Sequence, residues 1–520
     1  MTTADPAIHA PPSQIDAIDV GTTDAPVSSK AAETTLRWRL DAAATAVANS
    51  RSVWLVPVLV LQALLSLRLH NSLDEDEALY LNAGHALLTH LLHGTQIPHF
   101  GHYFSGVPAL YTVPAALVDS VGGVALVRDL STAFSLLATT FVYLGTRRLF
   151  GHGAAVVAAF VFVVNGSTLF ISHFASFDAP SLAAVSLAFW LAVRSADGNR
   201  YAFALGPALA LATGFKYFAI VFVPIVLGLA VVQLNSRIRG ADLARQVLFT
   251  VLAALGSFGL LAAAMAPGDW QGVMVTSAHR RILAPTSTVR LMHLSWDYEG
   301  PLLLAGLLSV ALLRHRRVLA MVFVVGGLVP VIAQIMLGEA ISLHKNMGFG
   351  LVFLAPVLGA IGMHLLRRGP GLFPRAPAAA AGLAVLLAFG MQTSARMADG
   401  WPSSGRLMSA LRPYVQRGSQ SYLADDGDVP AYYLSSVTSR QQWVSTASPE
   451  FAGSAADRAL PLALRQRRFA LFIYRDGGIS PVAVAAAASM LHRYYRLVAK
   501  VPQYAHGTTK FWYVWRRQPT

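Results

Sequence analysis

The chain contains no cysteine among its 520 residues. That excludes disulfides, thiol nucleophiles and thiolate metal sites, so any part outside the cytoplasm must fold without oxidative cross-linking. Charge is scarce too: 13% of residues are charged and 55% are hydrophobic, and mean hydropathy is +0.51. This balance excludes a soluble globular protein and is that of a polytopic membrane protein. Acidic residues number 26 against 40 basic ones, for a net charge of +14. The surplus does not indicate nucleic acid, because the basic residues lie in short clusters between apolar runs. Lysine is rarest among them, at Lys30, Lys216, Lys345, Lys500 and Lys510 only. No signal-peptide pattern opens the chain. Met1 to Thr35 is rich in Ala, Thr, Pro, Asp and Ser, reads as disordered and precedes Arg37 and Arg39.

What the sequence has in quantity is apolar runs of about 17 to 22 residues, the length of a membrane span. They predict about eleven transmembrane helices, near 53–69, 128–144, 154–170, 179–193, 201–214, 219–232, 247–265, 301–313, 319–337, 348–366 and 377–392. With that count, Arg147-Arg148, Arg194, Arg200, Arg237, Arg239, Arg245, Arg314-His315-Arg316-Arg317 and Arg367-Arg368 all fall on the cytoplasmic side, as the positive-inside rule requires. The N-terminus is then cytoplasmic and the C-terminus outside. Helical apolar spacing over Ala78 to Leu92 predicts a helix lying along the outer face, followed by another near Pro108 to Val118. From Ser403 the composition changes. Segments 420–424, 469–474 and 510–515 read as strands, and 461–467 and 481–494 as helices. The expected organisation is a cytoplasmic tail (1–50), a helical membrane domain (51–400) and a small extracytoplasmic α/β domain (401–520).

Four consecutive acids, Asp74, Glu75, Asp76 and Glu77, follow the first span. Carboxylates stabilise a first helical turn, so the run reads as a helix start. Four in a row repel one another, however, which capping alone does not favour. Asp178 opens a later span at the same face, with Pro180 in its first turn. Lys216 and Lys345 are the only lysines in the membrane domain, and both fall at outer ends of spans, where basic residues are less expected. An ionisable residue there reads as functional, against the alternative that the side chains merely reach up to lipid headgroups. Carboxylates and ammonium groups at one face suit a lipid phosphate. The outer stretch with Trp270, His279, Arg280, Arg281, Trp296, Asp297, Tyr298 and Glu299 suits a sugar or an interfacial aromatic belt. His85, His90, His93, His99 and His102 match no zinc spacing and read as surface histidines.

Asp76-Glu77 with Tyr80, Asp178-Ala179-Pro180, the Lys216-Tyr217 segment and Ser342-Leu343-His344-Lys345-Asn346 together resemble the GT-C glycosyltransferases. The similarity is to the bacterial aminoarabinose transferase and protein O-mannosyltransferase branch, and in particular to its actinobacterial members; it covers about residues 55–366. It implies transfer of a sugar from a polyprenyl-phosphate carrier to an acceptor at the outer face of the cell membrane. It implies Asp76 as base, Glu77 beside it and Asp178 as second acid. Asp74 and Glu75 are extra relative to the common two-acid pattern, which leaves Asp74 a rival for the base.

The chemistry also follows from the residue types. Cations must hold the departing phosphate, a role open to Lys216, Lys345, Arg280 and Arg281, with His344 as a further donor. A base must take the acceptor's proton. Asp74, Tyr80 and Tyr217 complete the expected substrate contacts. One base opposite the leaving group implies inversion. No cofactor is required; a divalent metal is compatible with this chemistry but nothing in the spacing indicates one. The expected partners are the lipid donor, an acceptor that is a protein, glycan, lipid or small molecule, and membrane lipids; nucleic acid is not among them. From a different class, a polyprenyl-lipid transporter would also use buried basic groups, but near mid-span.

Overall fold

A computed structural model of the chain describes residues 51–520 apart from 68–69, 99, 279–281, 283–284, 369–374, 400, 402, 447, 449, 452–455, 479–480, 506–507 and 520. The expected disordered tail, 1–50, lies outside the described residues. Trp54–Thr520 forms one compact unit.

The membrane domain is built of α1 (Leu55–Leu67), α2 (Glu75–His93), α3 (Pro108–Phe150), α4 (His152–Val164), α5 (Gly166–His173), α6 (Asp178–Arg194) and α7 (Asn199–Phe215). It continues with α8 (Val223–Asn235), α9 (Gly240–Ala264), α10 (Pro267–Val273), α11 (Thr288–Leu312), α12 (Arg317–Leu337), α13 (Leu343–Arg368) and α14 (Arg375–Asp399). Every expected span falls on a helix. By length and composition, six stretches among the described residues are long and apolar enough to cross a membrane: Pro108–Phe150, Asp178–Asp197, Tyr217–Asn235, Gly240–Ala264, Arg314–Leu337 and Leu343–Leu365. The pair α4 and α5, bent by 66°, makes a seventh if it is one span. The remaining four expected spans fall on α1, α7, α11 and α14.

Within α3 the backbone breaks at Gly123, whose φ of 66° glycine tolerates, so the stretch consists of two helices, in keeping with the expected separate helix near Pro108 and the span after it. Two expectations need correction. The span near 154–170 is two helices. Asn165 ends the first and caps the second, its side-chain oxygen accepting from the Ser167 amide at 2.8 Å. Trp296 to Glu299 lie inside α11 rather than in a loop, and Glu299 is fully buried.

The core between α6, α8, α12 and α13 is aromatic. Phe222 stacks on Phe353 with ring centroids 5.5 Å apart, and Phe189 meets Phe323 at 6.0 Å and Phe353 at 6.1 Å. The surface helix α2 is held on α3 by close backbone contact: a Cβ on Gly84 would lie 2.1 Å from the Thr112 carbonyl oxygen.

The C-terminal part adds α15 (Gly405–Leu411), β1 (Tyr422–Ala424), α16 (Asp428–Tyr433), β2 (Trp443–Ser445), α17 (Ala456–Arg465), β3 (Leu471–Arg475), α18 (Pro481–Tyr494), β4 (Tyr495–Ala505) and β5 (Thr508–Arg517). The sheet order is β2-β1-β3-β5-β4. β1 is parallel to both β2 and β3, while β5 runs antiparallel to β3 and β4. β1, β3, β5, α17 and α18 answer the sequence expectations. Two strands do not stand out in sequence: β2 is three residues long, and in β4 Lys500 and Pro502 interrupt the apolar pattern.

Gly84→Ala should detach or displace α2, because two helix backbones cannot move apart without loss; overpacking costs about 1–3 kcal/mol. Gly256, with nothing within 4 Å of its would-be Cβ, is the control. Thermal unfolding should show a lower midpoint for Gly84→Ala and an unchanged or higher one for Gly256→Ala; equal midpoints would refute the close-approach argument.

Candidate functional site

The acid run divides its work by position. Asp74 caps α2, its carboxylate accepting from the Asp76 amide at 3.1 Å, while Glu77 reaches back to the Asp74 amide at 3.1 Å. This reciprocal pair satisfies two of the free amides at a helix start. Glu77 is fully buried and committed further. Arg128, from α3, grips it through Nη2 at 2.6 Å and Nε at 2.9 Å, and the Ala175 amide donates to it at 2.8 Å. Arg128 also donates to the Asn71 carbonyl at 2.7 Å and lies 5.1 Å from the Trp401 ring centre. The family resemblance implies Glu77 beside Asp76 in the catalytic pair; the structure instead turns it into a structural ion pair. Arg128 is not among the residues expected from sequence, although it stands at the outer end of an expected span, the signal that singles out the lysines.

The lysines converge. α7 ends at Phe215, and Lys216 leaves it in extended conformation with its ammonium 2.5 Å from Asp178 Oδ1 and 2.7 Å from Asn346 Oδ1. Lys345, in the first turn of α13, lies 3.0 Å from Asp76 Oδ2 and 3.7 Å from Asp178 Oδ2. Asp178, at the start of α6, is thus shared by two lysines, and Ser176 Oγ donates to it at 2.7 Å. Asn346 Nδ2 donates to Gln334 Oε1 at 3.1 Å, which ties the cluster to α12. Phenylalanine faces close the remaining sides: Phe174 lies 4.9 Å from Lys345, and Phe349 5.2 Å from Lys216. Asp178 is fully buried and both lysines nearly so, whereas the Asp76 side chain is 45% exposed. Asp76 is therefore the member of the cluster open to a substrate.

Tyr80 sits one turn after Asp76, buried among Phe104, Tyr111 and Phe177, with its ring centre 4.8 Å from that of Phe177. Burial and the nearby charges of Asp76 and Asp178 hold its phenol well above the usual range. The Tyr217 hydroxyl is buried without a hydrogen-bond partner among the described residues. His344 packs edge-on against Phe170, ring centres 4.9 Å apart. Arg280, Arg281 and His279 lie outside the described residues, as does His99. His85 pairs with Asp119 at 2.7 Å and His90 with the Thr95 carbonyl at 2.6 Å.

The C-terminal domain meets the same helix start. Asp425 and Asp426, directly after β1, line a crevice with Asp74 and Glu75, and Asn82 donates to Asp428 Oδ1 at 3.1 Å. Arg475 answers Asp426 at 3.0 Å. Burial, then the charges of Asp76 and Glu77, hold the Asp74 carboxyl up at about 7. Burial, then the charges of Asp426 and Asp428, push Glu75 well above the carboxylate range. Burial also raises Asp425 to about 6. No local signal in the sequence points these C-terminal acids to the site, because only folding brings them there.

A carboxyl whose folded value is raised binds its proton more tightly in the folded state than in the unfolded one. The stability it contributes is present at low pH and is lost as pH rises from about 4 towards 7. Asp74→Asn keeps a good helix cap and removes that titration. Thermal midpoints measured from pH 4 to 8 should fall more steeply with rising pH for the wild type than for Asp74→Asn; parallel profiles would count against a protonated Asp74.

Residues 109–266 match the family model described as dolichyl-phosphate-mannose-protein mannosyltransferase. That segment includes Asp178 and Lys216 but neither Asp76 nor Lys345. No curated protein matches in sequence. Among solved structures, ArnT from Cupriavidus metallidurans in the apo state is similar at 14% identity, covering 91% of this chain and 98% of its own, with a TM-score of 0.54. The same protein bound to undecaprenyl phosphate gives 15% identity, 89% and 98% coverage and a TM-score of 0.53. The oligosaccharyltransferase AglB from Archaeoglobus fulgidus, in complex with an inhibitory peptide and a dolichol-phosphate, gives 13%, 88% and 74%, with a TM-score of 0.52. The chain thus shares the fold of these solved structures, and residues 109–266 follow the pattern of the mannosyltransferase family model.

Proposed function

We propose that the chain transfers a sugar from a polyprenyl-phosphate carrier to an acceptor hydroxyl at the extracytoplasmic face of the membrane, with inversion. The observation that carries this reading is the convergence of Asp76, Asp178, Lys216 and Lys345 on one cluster, with Asp76 and Lys345 in contact across 269 residues of sequence. The ligands bound to two structural neighbours, undecaprenyl phosphate and a dolichol-phosphate, support a carrier of that class.

In this reading the carrier phosphate enters beside Lys345 and draws its ammonium from Asp76. The freed carboxylate takes the proton of the acceptor hydroxyl. The acceptor oxygen forms a bond to the anomeric carbon as the bond from that carbon to the phosphate oxygen breaks. The electron pair leaves on the phosphate, where Lys345 and Lys216 hold the charge. Asp178 is the counter-ion that keeps two ammonium groups in place rather than a second acid. A transporter would place such groups near mid-span. Here Asp178 begins α6, Lys216 follows the end of α7 and Lys345 lies in the first turn of α13, a pattern that favours an enzyme working at one face.

Mass spectrometry of envelope glycolipids and glycoproteins from cells with and without the gene should reveal a missing sugar. Wild-type protein should restore it, and Asp76→Asn should lower transfer about 10²- to 10⁴-fold while expressing normally. Unchanged envelopes without the gene would defeat the reading.

Lys216→Ala and Lys345→Ala should each weaken use of the donor strongly. The double variant should be less impaired than the sum of the two, because both contact Asp178 and share a ligand. Fully additive losses in a donor-concentration series would place the two lysines at separate sites.

A further inference from the structure

The helices that bring Asp178 and Lys216 to the catalytic cluster have a second meeting place at their opposite ends. α6 and α7 are 17 residues each, about 25 Å at 1.5 Å per residue, close to the thickness of a bilayer's hydrocarbon core. At that far end a cavity of about 320 Å³ is lined by, among others, Ser195, Asn199, Arg237, Asp242, Arg245 and Gln246. Behind its wall one carboxylate serves three guanidiniums: Asp197 lies 2.8 Å from Arg148, 2.5 Å from Arg194 and 2.9 Å from Arg237. One negative charge cannot balance three positive ones, and the Arg237 side chain is 47% exposed. Arg245 projects further, 82% exposed, with Asp242 at 2.9 Å. Gln246 Nε2 is buried with no hydrogen-bond partner among the described residues, so a donor remains unused at the same cavity. α7 and α9 both begin here without a side-chain cap, which adds free backbone amides at the positive ends of two helices.

The positive-inside rule accounts for arginines at this face. It does not account for a cavity between them, for three arginines on one aspartate, or for an unused buried donor. We infer that this cavity is an anion site that takes a phosphate ester. The phosphate is supplied either by the headgroup of an acidic phospholipid, whose acyl chains would lie along the bundle, or by a free phosphate compound. Basic pockets between helices at a membrane's cytoplasmic surface recognise such headgroups, each arginine contributing about a fivefold gain in affinity. The site is separate from the catalytic cluster and stands whether or not the transfer reading does.

The test uses the purified full chain in detergent, with phosphatidylglycerol, phosphatidylcholine or inorganic phosphate added, and reads retained lipid by native mass spectrometry and stability by thermal midpoint. Wild-type protein should retain phosphatidylglycerol in preference to phosphatidylcholine and be stabilised by it. Arg245→Gln should weaken retention about fivefold, and Arg237→Gln with Arg245→Gln about thirtyfold. Arg290→Gln, the same loss of charge at the N-terminus of α11, should leave it unchanged. Arg237 also donates to the Ala196 carbonyl, so if the double variant does not fold, Arg245→Gln alone carries the comparison. Stabilisation by millimolar inorganic phosphate without lipid preference would identify a free phosphate as the occupant. No preference for phosphatidylglycerol and no response to phosphate would overturn the site, as would an equal loss in Arg290→Gln.

Discussion

One buried carboxylate holds the candidate site together. Asp178 has no exposed surface and stands between two ammonium groups, at 2.5 Å and 3.7 Å. Two lysines brought together without it would repel in a medium far less polar than water, and each would carry an uncompensated desolvation cost. Removing one partner from a buried charge pair typically costs about 3–5 kcal/mol. Asp178 begins α6, Lys216 follows α7 and Lys345 opens α13, so a single ionic cluster fixes the ends of three helices relative to one another. Ser176 and Asn346 take up the remaining hydrogen-bonding capacity of the carboxylate and of Lys216.

A second buried pair, Glu77 with Arg128, supports the first from outside. It locks the start of α2 onto α3 and, through the Ala175 amide, onto the segment that leads into Asp178. The two pairs meet in the acid run. Glu77 anchors the turn, Asp74 caps it, and Asp76 is left pointing outward with Lys345 as its ion-pair partner. A run that looks uniform in sequence thus holds three roles in four residues, separated because successive positions on a helix point about 100° apart. The C-terminal domain closes over the same turn with Asp425, Asp426 and Asp428. Burial there, and then the charges of Asp426 and Asp428, push the Glu75 carboxyl above the range of an ordinary glutamate.

Much was legible along the chain because it is set locally. Absent cysteine, scarce charge and long apolar runs determined a polytopic membrane protein, since those properties depend only on what each segment can do in lipid. Capping residues and helical spacing marked α2, and period and turn signals marked β1, β3, β5 and α18. The place of Lys216 and Lys345 beside the ends of apolar runs was visible as well, because in a chain with five lysines each position carries weight. What belonged only to tertiary structure was partnership. Nothing local says that Glu77 rather than Asp76 meets Arg128, that Asp178 lies between Lys216 and Lys345, or that Asp425 shares a crevice with Asp74. These contacts form between segments far apart in sequence, where burial makes an unpaired charge expensive and so selects the one packing in which each charge finds its partner.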